Sequence, residues 1–195
     1  MHVYLETERL ILRRFTPDDV DLAATLDADP AVMGYINGGR PTPRDEIRDI
    51  YLPAWIAYYE GGDRFGFWAA IEKGTGAFVG WFHLRPRTSD PDDEPELGYR
   101  LIASAWGRGY ATEGSRALIR RAFEDLGASR VYATTMVVNV ASRRVMEKAG
   151  LRFVRVFHEP WPDWIDGEEH GDVEYELTRD RWESGPRYRP AAAAS

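Results

Sequence analysis

The stretch from Glu96 to Ala111, ELGYRLIASAWGRGYA, limits what this chain can fold into more than any other. Leu97, Tyr99 and Leu101 alternate with Gly98 and Arg100, the period-2 pattern of a strand with two distinguishable faces. Trp106-Gly107-Arg108-Gly109-Tyr110-Ala111 then reads as a glycine turn running straight into a helical pattern. A strand, a glycine turn and a helix N-terminus in that order leave backbone N–H groups without intrahelical acceptors. These are aimed at one spot, with the positive end of the helix dipole behind them. The expectation is an anion site, most naturally for a pyrophosphate.

The rest of the chain supplies the frame for that element. With 195 residues and 44% hydrophobic content it suits one domain with a continuous core. We place that domain at 5–183, followed by a flexible C-terminal tail at 184–195 that is rich in proline and alanine. The formal net charge of -7 argues against a nucleic-acid surface, because phosphate backbones are bound through clustered Lys and Arg. With Cys 0 there is no disulfide framework, thiolate nucleophile or Cys-ligated zinc, and the four histidines have no metal-ligand spacing. Glu6 and Glu8 interrupt any signal-peptide core, and no window reaches roughly 18 apolar residues. The expectation is a cytoplasmic protein with no membrane or metal partner.

Taken in order, Leu10 to Phe15 reads as a strand, and Thr16-Pro17-Asp18-Asp19 starts a helix running to about Leu26. A second helical segment opens at Thr42-Pro43, and Pro53 should kink or split it. Phe65–Glu72 and Phe78–Leu84 flank the turn Lys73-Gly74-Thr75-Gly76 as a hairpin, and Glu96–Ile102 adds a third strand after the acidic loop Ser89–Pro95. A helix from Tyr110 ends at Gly127, a strand covers Arg130–Val138, and a short helix runs from the Asn139 cap to Gly150. Leu151–Phe157 and Val173–Thr178 complete an α/β (α+β) arrangement of about seven strands in a mixed sheet, with helices on both faces.

These residues resemble the GCN5-related N-acetyltransferase (GNAT) family, most closely its RimJ/RimL-like branch. Gly109-Tyr110-Ala111 fits the acetyl-CoA turn of that family, although Trp106 stands where it usually has Gln or Arg. Asn139-Val140-Ala141-Ser142-Arg143-Arg144-Val145-Met146-Glu147-Lys148-Ala149-Gly150-Leu151 is the longer and more specific match. Leu5–Arg13 and Tyr175-Glu176-Leu177 with Trp182 extend the likeness over nearly the whole chain. The resemblance implies the GNAT fold: a mostly antiparallel sheet, splayed between the fourth and fifth strands where the pantetheine arm enters.

It also implies acetyl-CoA as cosubstrate, with the pyrophosphate on the N–H groups of Arg108, Gly109, Tyr110, Ala111 and Thr112. Any side chain beyond Cβ at Gly109 would then occupy ligand space. The backbone near Leu101 or Ile102 should polarise the thioester carbonyl, and Asn139 and Ser142 should sit at the cofactor arm. Glu96 is the candidate general base, acting through water. The acid common in the family, a Tyr in the short helix, is replaced by Met146, so Ser142 is the candidate donor to the departing thiolate.

Asp90, Asp92, Asp93 and Glu94, with Asp163, Asp166, Glu168 and Glu169, could rim a cleft for a cationic acceptor or serve only as solubilising loops. Tyr35, Trp55, Tyr58, Tyr59, Trp81, Trp161 and Trp164 are candidates for an acceptor groove or for core. His158 is a secondary site candidate. Three acceptors stay open: a protein N-terminus or peptide amine, a polyamine or aminoglycoside, and a small amine or amino acid. Two functions stay open as well. One is an N-acetyltransferase, monomer or homodimer, working by direct attack in a ternary complex. The other is a catalytically silent acyl-CoA-binding or interaction protein on the same scaffold.

Overall fold

The computed structural model describes residues 2–159 and 164–185. Among them one eight-stranded sheet runs β1 (Val3–Glu6), β2 (Leu10–Arg14), β3 (Gly66–Glu72), β4 (Phe78–Arg85), β5 (Glu96–Leu101), β6 (Arg130–Met136), β8 (Asp172–Thr178), β7 (Arg152–Phe157) in spatial order. The strand beyond the seven expected is β1, four residues long and antiparallel to β2. Every neighbouring pair is antiparallel except β5 and β6. That parallel pair has a single register position, Glu96 opposite Tyr132. Beyond it the strands diverge, and a gap opens in the middle of the sheet.

Alternation along the strands sends side chains to two separate cores, because successive residues of a strand point to opposite faces. Trp68, Ala70, Phe82, Leu84, Leu97 and Leu101 face α4 (Tyr110–Glu124) and α5 (Val140–Ala149), whose Leu118, Ile119, Ala122 and Met146 complete that layer. Phe67, Ala69 and Trp81 face the other way. They meet Val20, Ala23 and Leu26 of α1 (Val20–Asp27), Val32 of α2 (Pro30–Asn37), and Ile47, Leu52 and Trp55 of α3 (44–57). At Gly114 in α4 a Cβ would overlap the Phe82 ring, so glycine there lets the helix lie close on the sheet.

The segment α3 comprises Arg44–Glu46, a π-helical turn Ile47–Tyr51 and Leu52–Ala57. Pro53 has no N–H and its ring crowds the carbonyl four residues back, so the helix widens just before it rather than breaking. Helix α2 was not expected from the sequence, though its signals are local. The Asp29 side chain accepts from the Ala31 N–H at 2.9 Å, Pro30 takes the first helical position, and Gly38 ends the helix at φ 75°. The last helix, α6 (Arg179–Ser184), stacks Trp182 on Phe123 with ring centroids 5.2 Å apart. No helix among the described residues is long and apolar enough to cross a membrane. Residues 186–195 of the expected tail, together with Trp161 and Asp163, lie outside the described residues.

Candidate active site

The glycine turn has the geometry that an anion requires. Gly107 and Gly109 adopt left-handed backbone, φ 71° and 84°, which costs a residue with Cβ about 1–2 kcal/mol. The first helical N–H with an intrahelical acceptor in α4 is that of Glu113, bonded to the Gly109 carbonyl at 3.0 Å. The amides of Tyr110, Ala111 and Thr112 precede it and have no such acceptor, as the first turn of a helix dictates. Gly107, Gly109, Tyr110, Ala111 and Thr112 all line a cavity of about 410 Å³ beside the C-terminal end of β5. Asn139, Ser142, Tyr99 and Leu101 line the same cavity from α5 and β5.

Arg108 is the exception in the turn. Its side chain lies outside the cavity, 3.2 Å from Glu72 and 5.0 Å over the Tyr110 ring. At Gly109 a Cβ would meet the Arg9 guanidinium, 3.3 Å away.

Leu101 and Ile102 separate in the same way. The Ile102 N–H donates to the Val79 carbonyl at 3.1 Å and is therefore spent on β4. Successive amides in a strand point to opposite edges, so the Leu101 N–H faces the gap, where the only β5–β6 register pair is the distant Glu96 with Tyr132. The carbonyl of Leu101 is covered by the Trp106 indole N–H at 2.8 Å. Trp106 thus braces the strand end from the position where Gln or Arg is usual.

Asn139 caps α5: its Oδ1 accepts from the Ser142 N–H at 3.2 Å and its Nδ2 donates to Thr135 at 3.1 Å. Ser142 lies next to a residue that sequence reasoning passed over. The Tyr99 hydroxyl is 2.9 Å from Ser142 Oγ and donates to the Ser142 carbonyl at 3.1 Å. Burial pushes the Tyr99 phenol well above its ordinary pKa, against the opposing effect of its hydrogen bond to Ser142. It therefore remains a proton-bearing hydroxyl at working pH. The alternation that places Tyr99 on the α5 face was readable, but not the crossing of α5 over it.

Glu96 is buried at the start of β5, where the sheet begins to open. Arg87 Nη2 donates to its Oε1 at 2.8 Å and the Thr134 hydroxyl to the same oxygen at 3.2 Å, while Arg85 and His83 lie 3.7 and 3.8 Å from Oε2. Burial pushes the carboxyl upward, but His83, Arg87 and Arg85 together hold it below the ordinary value. Burial also pushes His83 down to about 4, so near neutral pH it carries no charge and the two arginines keep Glu96 ionised.

A second cavity of about 170 Å³ lies beside this network, bounded by Arg87, Thr134, Glu159 and Asp172. Tyr35 and Ile36 of α2 line both cavities and separate them. Glu96 reaches the smaller one through Thr134.

The other sequence candidates are placed mostly in structural roles. Trp55 and Trp81 are core, and the Tyr59 hydroxyl accepts from the Phe15 N–H at 2.9 Å. In the first acidic loop Asp90 accepts from Tyr132, and Asp92 and Glu94 pair with Arg64 and Arg130. In the late loop Glu168 accepts from the Ile165 N–H at 3.0 Å. These loop carboxylates are held by neighbouring groups of the protein. Exposed His158 lies 3.5 Å from the Glu169 carbonyl and lines neither cavity. No group of three or more His, Asp or Glu side chains among the described residues could hold a metal.

The profile of the acetyltransferase (GNAT) domain matches residues 9–152. The chain belongs to the GNAT family. This GNAT protein is an acetyl-CoA-dependent acetyltransferase. A relative from Aspergillus fumigatus (strain ATCC MYA-4609 / CBS 101355 / FGSC A1100 / Af293), FsC-acetyl coenzyme A-N(2)-transacetylase, is 37% identical over 185 residues, covering 91% of this chain and 77% of its own length. Two solved structures share the fold. RimL, a ribosomal L7/L12 alpha-N-protein acetyltransferase in complex with coenzyme A, superposes with a TM-score of 0.76 at 17% identity, covering 92% of this chain and 99% of that one. Spermidine N-acetyltransferase from Vibrio cholerae, in complex with CoA and spermine, superposes with a TM-score of 0.71 at 15% identity, covering 88% and 96%.

Proposed function

We propose that the chain acetylates the primary amine of a small molecule by direct attack in a ternary complex. The observation that carries this reading is the pair of adjoining cavities. One has free helix-terminal amides at its base, and the other is bordered by the carboxylates of Glu159 and Asp172. The Aspergillus relative, named for acetyl transfer to an N(2) position, supports a small-molecule acceptor over a protein N-terminus. Acetyl-CoA supplies an acetyl group activated as a thioester, which the amine nitrogen takes with release of the thiol.

The amides of Gly109, Tyr110, Ala111 and Thr112 hold the diphosphate, and the Leu101 N–H donates to the thioester oxygen as negative charge develops there. Ionised Glu96 draws the ammonium proton through Thr134 and water, so that a neutral amine meets the carbonyl. The lack of cysteine and the engagement of the Ser142 hydroxyl by Tyr99 support direct attack over a covalent acetyl-enzyme.

The Ser142 hydroxyl, held in place by Tyr99, stabilises the departing thiolate by hydrogen bonding, and Tyr99 gives up no proton, since burial makes the phenol a weaker acid than the thiol. Tyr99→Phe is therefore expected to lower kcat by about tenfold, the worth of one hydrogen bond to a charged atom, with little change in the KM for acetyl-CoA. Ser142→Ala should do the same, and the double variant should lose little more than either. Additive losses would show that the two hydroxyls do not act as one unit.

The function itself is tested by thiol release from acetyl-CoA across small amines, amino acids, polyamines, aminoglycosides and peptides. Release above hydrolysis with small amines is the expected result. Release with peptides alone would overturn the acceptor class. Tight coenzyme A binding without release from any amine would favour a silent acyl-CoA-binding protein.

A further inference from the structure

The tight turn between β1 and β2 takes no part in the chemistry described above, yet it is fastened to the phosphate turn from the far side of the sequence. Glu113, in the first turn of α4, receives four groups from it. Oε1 accepts from the Thr7 hydroxyl at 2.6 Å and the Arg9 N–H at 2.8 Å, and Oε2 accepts from Arg9 Nε at 2.7 Å and Nη2 at 2.6 Å. The remaining arm of the fork, Arg9 Nη1, donates to the Arg108 carbonyl at 2.9 Å. The guanidinium lies 4.6 Å over the Tyr110 ring. On its other side the turn is held by Lys73, whose Nζ donates to the Thr7 carbonyl at 2.7 Å and whose N–H donates to the Arg9 carbonyl at 2.8 Å.

In a trans peptide the carbonyl and the following N–H point in opposite directions. Drawing the Arg108 carbonyl toward Arg9 therefore sends the Gly109 N–H the other way, toward the side on which Gly109, Tyr110, Ala111 and Thr112 line the large cavity. A peptide flip at this position would place a carbonyl oxygen against an anionic ligand. Glycine at φ 84° has no Cβ to oppose such a flip, so the restraint must come from outside the turn.

We propose that Arg9, oriented by Glu113 and Thr7, is a positioning residue that keeps the Arg108–Gly109 peptide in its diphosphate-binding orientation. This rests on the reading of the turn as the diphosphate cradle.

The test compares two donors. Coenzyme A binding is measured by calorimetry, and steady-state rates are measured with acetyl-CoA and with S-acetyl-N-acetylcysteamine, a thioester without a diphosphate. Arg9→Ala is expected to weaken coenzyme A binding and raise the KM for acetyl-CoA by about tenfold, with kcat within about twofold. The rate with the truncated thioester should be unchanged. Equal losses with both donors would show that Arg9 only supports the fold, and unchanged coenzyme A affinity would overturn the proposal outright. If the wild-type protein itself did not bind coenzyme A, the cradle reading would fall and this proposal with it. Should Arg9→Ala not fold, Arg9→Lys decides by the same two donors. Lysine keeps a charge for Glu113 but cannot reach Glu113 and the Arg108 carbonyl together.

Discussion

Gly109→Asp is expected to eliminate measurable coenzyme A binding while the sheet and both cores stay folded. Two effects combine. Any residue with a Cβ is strained at φ 84°, and the new Cβ points at Arg9 Nη2, so an aspartate would compete with the Arg108 carbonyl for that guanidinium. It would also place a negative charge at the N-terminus of α4, where the amides of Tyr110 to Thr112 would otherwise meet a dianion. At an effective dielectric near 20–40 and a separation of several ångström, such repulsion is worth roughly a hundredfold in affinity. Gly109→Ala separates the two effects, since it carries the strain without the charge and should lose about tenfold. Calorimetric titration with coenzyme A reads both variants. Wild-type affinity in the aspartate variant would show that the diphosphate binds elsewhere.

Glu96→Gln should lower kcat by about a hundredfold, the usual worth of a positioned base, and by a similar factor throughout the range from about pH 6 to 9. The flat pH response follows from the site. Arg87 and Arg85 keep the carboxylate ionised well below neutrality, so its own titration does not shape the working range. The acid limb of the wild-type profile then belongs to the acceptor amine. A loss concentrated at low pH would mean that Glu96 titrates in the working range and that the ion network is weaker than its geometry implies.

Stability gives an independent reading of the same residue. The folded Glu96 pKa lies below its ordinary 4.5, so its contribution is fully present above that value and is lost as pH falls through the lower, folded one. For His83 the folded value of about 4 lies below 6.5, so the unfolded chain takes up the proton first and stability declines between those two values. In urea titrations Glu96→Gln should remove only the steepening below about pH 4.5 and leave the decline above it.

Much of the site was readable because it is made of backbone. Gly107, Gly109 and the Tyr110 start of α4 identify themselves by residue type. The Asn139 cap with Gly150 delimits α5, and the alternation through β5 assigns faces. The elements that escaped were short or depended on partners. Strand β1 is four residues long and exists through its pairing with β2, and α2 shapes both cavities although its apolar residues form no long stripe. What the sequence left open was direction. Arg108 turns away to Glu72, Ile102 gives its amide to Val79, and the Cβ direction at Gly109 leads to Arg9.

The sequence by itself determined the order of the longer strands and helices, the glycine turn at the start of α4 and Met146 at the place where the family often has a tyrosine, because periodicity, glycine and capping chemistry act over a few residues. Only the tertiary structure decided what those pieces face. It opened β5 from β6 beyond Glu96, brought Tyr99 onto Ser142 across 43 positions and Arg9 onto Glu113 across 104, and enclosed Glu96 with arginines from β4 and the loop after it. The reason is physical: hydrogen bonds and ion pairs between distant segments are set by how helices cross the sheet, and no local pattern records that crossing.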